Sequence, residues 1–144
     1  AMLAVLDYVC QIGAKFTEST DRRTLYLTGM EQIHLQERSL LQCLLDGLRQ
    51  IPGVHIFADK LDLTHRDLIA AICIDGLDVT DAVKEYEKRG VIVCDRSNRS
   101  MYAKRIVEAI GVTGAIRVSP LHCHNRQDIE KFLEITRAIA EKGV

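Results

Sequence analysis

The sequence lacks an excess of charge of either sign. Of its 144 residues, 19 are Lys or Arg and 20 are Asp or Glu, which gives a formal net charge of −1. This balance gives no electrostatic reason to expect binding to nucleic acid or to an anionic membrane. No apolar run approaches the roughly 20 residues that cross a bilayer, and residues 1–16 lack the charged region and cleavage site of a secretory signal.

Paired cysteines and common cofactor motifs are also missing. No C-x-x-C occurs, and the cysteines are scattered and odd in number: Cys10, Cys43, Cys73, Cys94 and Cys123. This pattern predicts reduced thiols in a cytoplasmic protein. The sequence contains no G-x-G-x-x-G, G-x-x-x-x-G-K-[ST] or G-x-S-x-G motif, so the usual signatures of dinucleotide, phosphate-loop and hydrolase sites are absent.

The apolar pattern that is present predicts one folded domain. The chain is 47% hydrophobic and long enough to bury a core. Periodicity and capping residues predict helices at 3–16 and 25–50, a third ending at Gly90, a fourth capped by Ser100 and a fifth capped by Asn125. The β-like runs are 54–58, 68–74, 91–94 and 115–119.

The order of these elements predicts the fold class. Two strands come in direct succession, and the strands are too few for a doubly wound domain. We therefore predict an α+β fold with a mostly antiparallel sheet of about four strands and helices packed on one face. Residues 1–144 form a single domain in this interpretation, and residues 1–24 are a linking helix and a polar break.

The triplet His122-Cys123-His124 is a candidate for half a zinc site. Two histidines spaced by one residue in an extended segment lie on one side of it. Zinc takes three or four protein ligands, however, and the sequence holds no second cluster of Cys and His. We therefore predict no metal here and interpret the triplet as a turn between a strand and a capped helix.

Cys94 is the best candidate for a reactive thiol. It ends the predicted strand 91–94 and precedes Asp95 and Arg96, whereas reactive cysteines need a partly exposed, electropositive setting. Strand alternation places Cys94 with Ile92, and this favours a buried, unreactive thiol.

Arg117 is unusual because it lies within the apolar strand 115–119. It alternates with Ile116 and Val118, so its guanidinium points to the opposite face of the sheet. There it must reach solvent, pair with an acid or receive the carboxylate of a ligand. The residue pattern alone favours a surface salt bridge over a ligand site.

The segment GAIRVSPLHCHNRQDIEKFLEIT, at 114–136, resembles the end of class V aminotransferases and cysteine desulfurases. These pyridoxal-phosphate (PLP) enzymes of fold type I end with an Arg-x-Ser strand, a turn with Asn and an amphipathic helix. The stretches IPGVHIFA, LIAAICIDG and VTDAVKEYEKRGVIV follow the order of the family's C-terminal small domain. The resemblance implies that Arg117 binds the α-carboxylate of a small amino acid, and that Arg96 and Arg99, in a closing loop at 95–101, contact substrate or phosphate.

The resemblance also implies parts that this sequence does not contain. PLP would be bound in the intact enzyme on a large domain, and none of the seven lysines here has the context of the PLP lysine. We expect no PLP on this chain and no catalysis by it alone. Desulfurases carry a persulfide-forming cysteine in the loop after the strand equivalent to 91–94, and here only Cys94 could substitute.

The function expected from the sequence is therefore that of a domain within a larger enzyme. We expect the C-terminal domain of a PLP-dependent class V aminotransferase or cysteine desulfurase-like enzyme, acting on a small amino acid as a homodimer. The alternative is a stand-alone α+β binding or interaction module without catalysis.

Overall fold

Nine elements follow one another in the predicted order within residues 2–142, the part of the chain that the computed structural model describes. The helices are α1 (Met2–Gly13), α2 (Arg22–Arg49), α3 (Val79–Lys88), α4 (Lys104–Ala109) and α5 (Arg126–Lys142). The strands are β1 (Val54–Phe57), β2 (Ala70–Ile74), β3 (Cys94–Ser97) and β4 (Gly114–Val118). None of the described helices is both long and apolar enough to cross a membrane.

The four strands form one antiparallel sheet in the order β1-β2-β4-β3. Ile56, Ile72 and Ile116 lie in one cross-strand row, and side chains of this face enter the core beneath α2, α3 and α5. The predicted α+β class, with a four-stranded antiparallel sheet, is therefore confirmed.

The core is built mainly on α2. Its apolar residues recur at steps of three and four, so they form one buried stripe: Leu40, Leu41, Leu44, Leu45 and Leu48. Gly47 allows α5 to approach, because a Cβ at this position would lie 2.2 Å from Cδ1 of Leu133. Any larger residue at position 47 would therefore push the two helices apart.

Helix α1 packs differently from the prediction. Two glycines let its backbone touch α2: a Cβ on Gly13 would lie 1.9 Å from the Leu25 carbonyl oxygen, and a Cβ on Gly29 2.1 Å from that of Val9. The apolar face expected for residues 3–16 is largely exposed, with Leu3 at 70%. The helix also ends at Gly13 rather than at residue 16.

Strand β3 lies three residues later than predicted. The apolar run 91–93 is irregular, with Ile92 exposed, whereas the polar residues 95–97 pair with β4. An edge strand needs hydrogen-bonding partners on one side only, so polar side chains are compatible with it. The predicted loop 95–101 is accordingly replaced by a strand and a turn at 98–103.

The helix caps were predicted with mixed success. Asn125 and Asp128 form the expected reciprocal cap of α5, at 3.1 Å and 2.9 Å, and Asp78 caps α3. Asp21 accepts from the Thr24 backbone N–H at 2.8 Å, so α2 begins three residues early. The side chain of Ser100 does not cap α4; its carbonyl instead accepts from the backbone N–H of Lys104.

A buried hydrogen bond joins α3 to α5. The Tyr86 hydroxyl lies 2.8 Å from Oγ1 of Thr136, which lies 2.8 Å from the carbonyl oxygen of Phe132. A carbonyl can only accept, so Thr136 donates to it and Tyr86 donates to Thr136. Burial raises the pKa of Tyr86 to about 12.

We expect this tyrosine to make the protein sensitive to alkali. Its raised pKa favours the neutral phenol in the folded state, so this contribution to stability is intact below about pH 10 and is lost by about pH 12. The loss in unfolding free energy should reach about 3 kcal/mol, since one pKa unit corresponds to about 1.4 kcal/mol. Denaturant unfolding across this range should show the decline in the wild type and a weaker one in Tyr86→Phe. Identical declines in both proteins would assign the effect to other groups.

Candidate functional site

One face of the sheet is not filled by the core helices, and we call it the open face. Strand alternation and register place eight side chains on it in two rows. The first row is Phe57, Ala71, Arg117 and Cys94, and the second is His55, Cys73, Ala115 and Arg96. All except Ala115 are at least half-exposed or partly so, and Ala115 is buried.

Arg117 lies near the middle of the open face, between Ala71 and Cys94. Its Nε is buried and has no hydrogen-bond partner, although the residue as a whole is partly exposed. None of the ion pairs within residues 2–142 involves it, so the surface salt bridge favoured by the residue pattern does not form there. A buried donor without a partner costs about 1–3 kcal/mol, so the site is better suited to Arg117 when an acceptor is bound.

The other two candidate arginines differ in position. Arg96 pairs with Ala115 and shares the open face with Arg117, but its Nη1 donates to the backbone carbonyl of Asp95 at 2.9 Å. Arg99 lies in the turn after β3, and its Nη2 donates to Oδ2 of Asp78 at 3.0 Å. The fold thus brings Arg96 and Arg117 together and directs Arg99 to the first turn of α3.

The Arg99–Asp78 pair borders a cleft of about 660 Å³, which reaches the open face at Phe57 and Cys73. Asp78 also accepts from the Thr80 backbone N–H at 2.9 Å. This hydrogen bond, together with the charge of Arg99, holds the pKa of Asp78 below its usual value. The carboxylate is therefore charged at neutral pH and keeps Arg99 engaged.

The thiols on the open face have contrasting surroundings. Cys94 is the first residue of β3, partly exposed and directly opposite Arg117, so its predicted burial beside Ile92 is wrong. Cys73 faces His55, whose Nε2 lies 2.8 Å from Oδ1 of Asp75. Burial, with a smaller effect of Asp75, raises the pKa of Cys73 and favours the neutral thiol.

The small residues around Arg117 were not singled out from the sequence. Ala71 flanks it and Ala115 lies diagonally beside it, so the floor of the open face is shallow there. The signal was present: in LIAAICI the positions opposite the core are small or soft, whereas the core positions include two isoleucines.

The His-Cys-His triplet forms a turn whose imidazoles have other partners. Nε2 of His122 lies 2.9 Å from the Tyr8 hydroxyl of α1. Nδ1 of His124 lies 3.0 Å from the Leu121 backbone nitrogen, which donates to it. In the described part of the chain, no three His, Cys, Asp or Glu side chains are grouped in a way that could hold a metal ion.

Comparison with known proteins identifies relatives of this arrangement. A family model described as "Aminotransferase class-V" matches residues 22–132. A probable cysteine desulfurase from Synechocystis sp. (strain ATCC 27184 / PCC 6803 / Kazusa) is 27% identical over 115 residues, which are 78% of this chain and 27% of the relative. The chain thus spans about a quarter of that relative's length.

Solved structures show the same fold. An apo cysteine desulfurase from Thermococcus onnurineus NA1 has a TM-score of 0.72 at 18% identity, over 84% of this chain and 29% of that one. The cysteine desulfurase CsdA from Escherichia coli has a TM-score of 0.67 at 18% identity, over 89% of this chain and 32% of that one. At this level of identity the likeness concerns the fold alone.

The geometry of the turn generates a prediction about metal content. Purified protein should contain much less than about one zinc per chain, because the two imidazoles are hydrogen-bonded elsewhere and zinc needs three or four ligands. Elemental analysis of the wild type and His122→Ala would test this. Stoichiometric zinc that disappears in the variant would overturn the prediction.

Proposed function

Because the chain belongs to the aminotransferase class-V family, we propose that it is part of a PLP-dependent enzyme and that Arg117 binds the α-carboxylate of a small amino acid. The observation that carries the proposal is the Nε of Arg117, which is buried on the open face without an acceptor. The activity of the whole enzyme, whether aminotransferase or cysteine desulfurase-like, is part of the same proposal.

The chemistry of arginine supports this role. Its planar guanidinium presents paired N–H donors that match the two oxygens of a carboxylate, which a lysine ammonium cannot do. Arg117 is partly exposed, so a ligand can reach it. Its immediate neighbours in the row, Ala71 and Cys94, provide no competing carboxylate.

Charge on the open face adds to this preference. Arg96 lies diagonally across from Arg117 on the neighbouring strand, and two cations raise the local concentration of an anionic ligand. We propose Arg96 as a secondary contact that must first leave the Asp95 carbonyl. Arg99 would have to break its ion pair with Asp78 to contact substrate or phosphate.

The described residues do not form a PLP site by themselves. Each lysine within residues 2–142 is exposed, and none belongs to the open face: Lys15, Lys60, Lys84, Lys88, Lys104 and Lys131. Three of them pair with acids of their own helices. The family implies PLP in the intact enzyme, and we place the lysine that binds it outside this chain.

The short span relative to the relatives supports a domain within a longer enzyme. We propose that residues 1–144 correspond to its C-terminal small domain, with a large domain as partner and a homodimer as the assembly. The exposed apolar residues of α1, among them Leu3 and Val5, are suited to packing against such a partner. A stand-alone binding module remains the alternative that the next experiment addresses.

Incubation with PLP should leave the isolated chain without a specific adduct. Exposed lysines react weakly and at many positions, whereas a cofactor lysine reacts stoichiometrically at one. An absorbance scan followed by borohydride reduction and peptide mass spectrometry would distinguish the two. One stoichiometric lysine adduct would contradict our placement of the cofactor lysine.

Replacement of Arg117 in the intact enzyme should impair catalysis rather than folding. Loss of one partner of a buried charge pair costs about 2–5 kcal/mol, which is roughly 30- to several-thousand-fold in kcat/KM. Arg117→Lys should lose most of this as well, because it lacks the fork of donors. PLP content should stay unchanged.

A matched control separates this effect from surface electrostatics. Arg126 forms an exposed pair with Glu130 on α5, so Arg126→Lys should change kcat/KM little. Melting temperatures of all variants should be measured in parallel. Near-normal kcat/KM in both Arg117 variants would remove this residue from the substrate site.

A further inference from the structure

Cys94 and Arg117 are direct cross-strand partners on the open face. The register pairs their Cα atoms, and such residues have Cβ atoms about 5 Å apart on the same side of the sheet. Both residues are partly exposed. A reagent bound to the guanidinium can therefore reach the sulfur without any change in the backbone.

The remaining thiols with known surroundings lack this combination. Cys73 shares the open face but lies in the other row, beside His55 and Ala115, and its raised pKa disfavours the nucleophilic thiolate. Cys123 is exposed in the turn after β4, outside the sheet. The two therefore serve as internal comparisons for reactivity at Cys94.

The donor that lacks an acceptor is the second observation. Nε of Arg117 is buried and unpaired, so the site has an unfilled place for an anion beside the thiol. A carboxylate at the guanidinium would place its adjacent carbon atoms near the sulfur. This proximity raises the effective concentration of an electrophile attached to that carboxylate.

We propose that Arg117 and Cys94 together form an anion-directed thiol site, at which Cys94 is modified by small electrophiles that carry a carboxylate. The proposal rests on the proposed role of Arg117 as a carboxylate ligand. With iodoacetate, the sulfur attacks the methylene carbon, a C–S bond forms, the C–I bond breaks and iodide leaves with its electron pair. The thiol proton passes to solvent, and no oxidant or reductant is needed.

The test compares an anionic with a neutral reagent on the 144-residue chain. Limiting iodoacetate or iodoacetamide is added in parallel, and peptide mass spectrometry measures the modified fraction at Cys94 and Cys123. The rate ratio of iodoacetate to iodoacetamide at Cys94, divided by the same ratio at Cys123, should be on the order of ten. Acetate should slow iodoacetate at Cys94 and leave Cys123 unaffected.

Two variants assign the preference to its cause. Arg117→Gln should bring the normalised ratio to about one, because the amide keeps a similar length without the charge. Arg126→Gln removes an exposed arginine on α5 and should leave the ratio unchanged. Should Arg117→Gln fail to fold by circular dichroism, the acetate competition in the wild type decides the question without any variant.

An independent signal keeps this inference separable from the proposed function. The Nε–H resonance of Arg117 should shift on addition of acetate if the guanidinium binds carboxylates. A shift without any anionic preference at Cys94, or with a Cys94 that reacts with neither reagent, would overturn the thiol site alone. No shift and no preference would overturn both the thiol site and the carboxylate role.

Discussion

The register of β4 is the constraint on which the rest of the structure depends. This strand pairs with both β2 and β3, so it fixes the position of every other strand except β1. Ile116 and Val118 enter the core from one face, and Arg117 is thereby directed to the other. A slip by one residue would bury a guanidinium among leucines and expose two core side chains, which burial makes prohibitive.

The same constraint explains why the open face exists. Helices α2, α3 and α5 all pack on the side of Ile116, where Gly47 lets two of them approach closely. A single-sided core leaves the opposite side lined by small residues, two thiols and two arginines. The folding of this chain and the availability of its candidate site therefore have one structural cause.

Much of this was accessible from the sequence because it is written in local patterns. The stripe of α2, the reciprocal cap at Asn125 and the outward direction of Arg117 all follow from periodicity or from residues three positions apart. The start of β3 was not accessible, since an edge strand of polar residues carries no hydrophobic alternation. The Arg99–Asp78 pair and the Cys94–Arg117 pair each join residues more than 20 positions apart, and only the tertiary fold brings them together.

The polar composition of β3 has a consequence for the behaviour of the protein in concentrated solution. The strand lies at the edge of the sheet, where unpaired backbone groups can recruit a strand from another molecule. Asp95, Arg96 and Ser97 place charge and hydroxyl groups along four residues only. Such a short and charged edge is a poor template for intermolecular β-pairing, so the feature that hid β3 from sequence analysis also guards the sheet against aggregation.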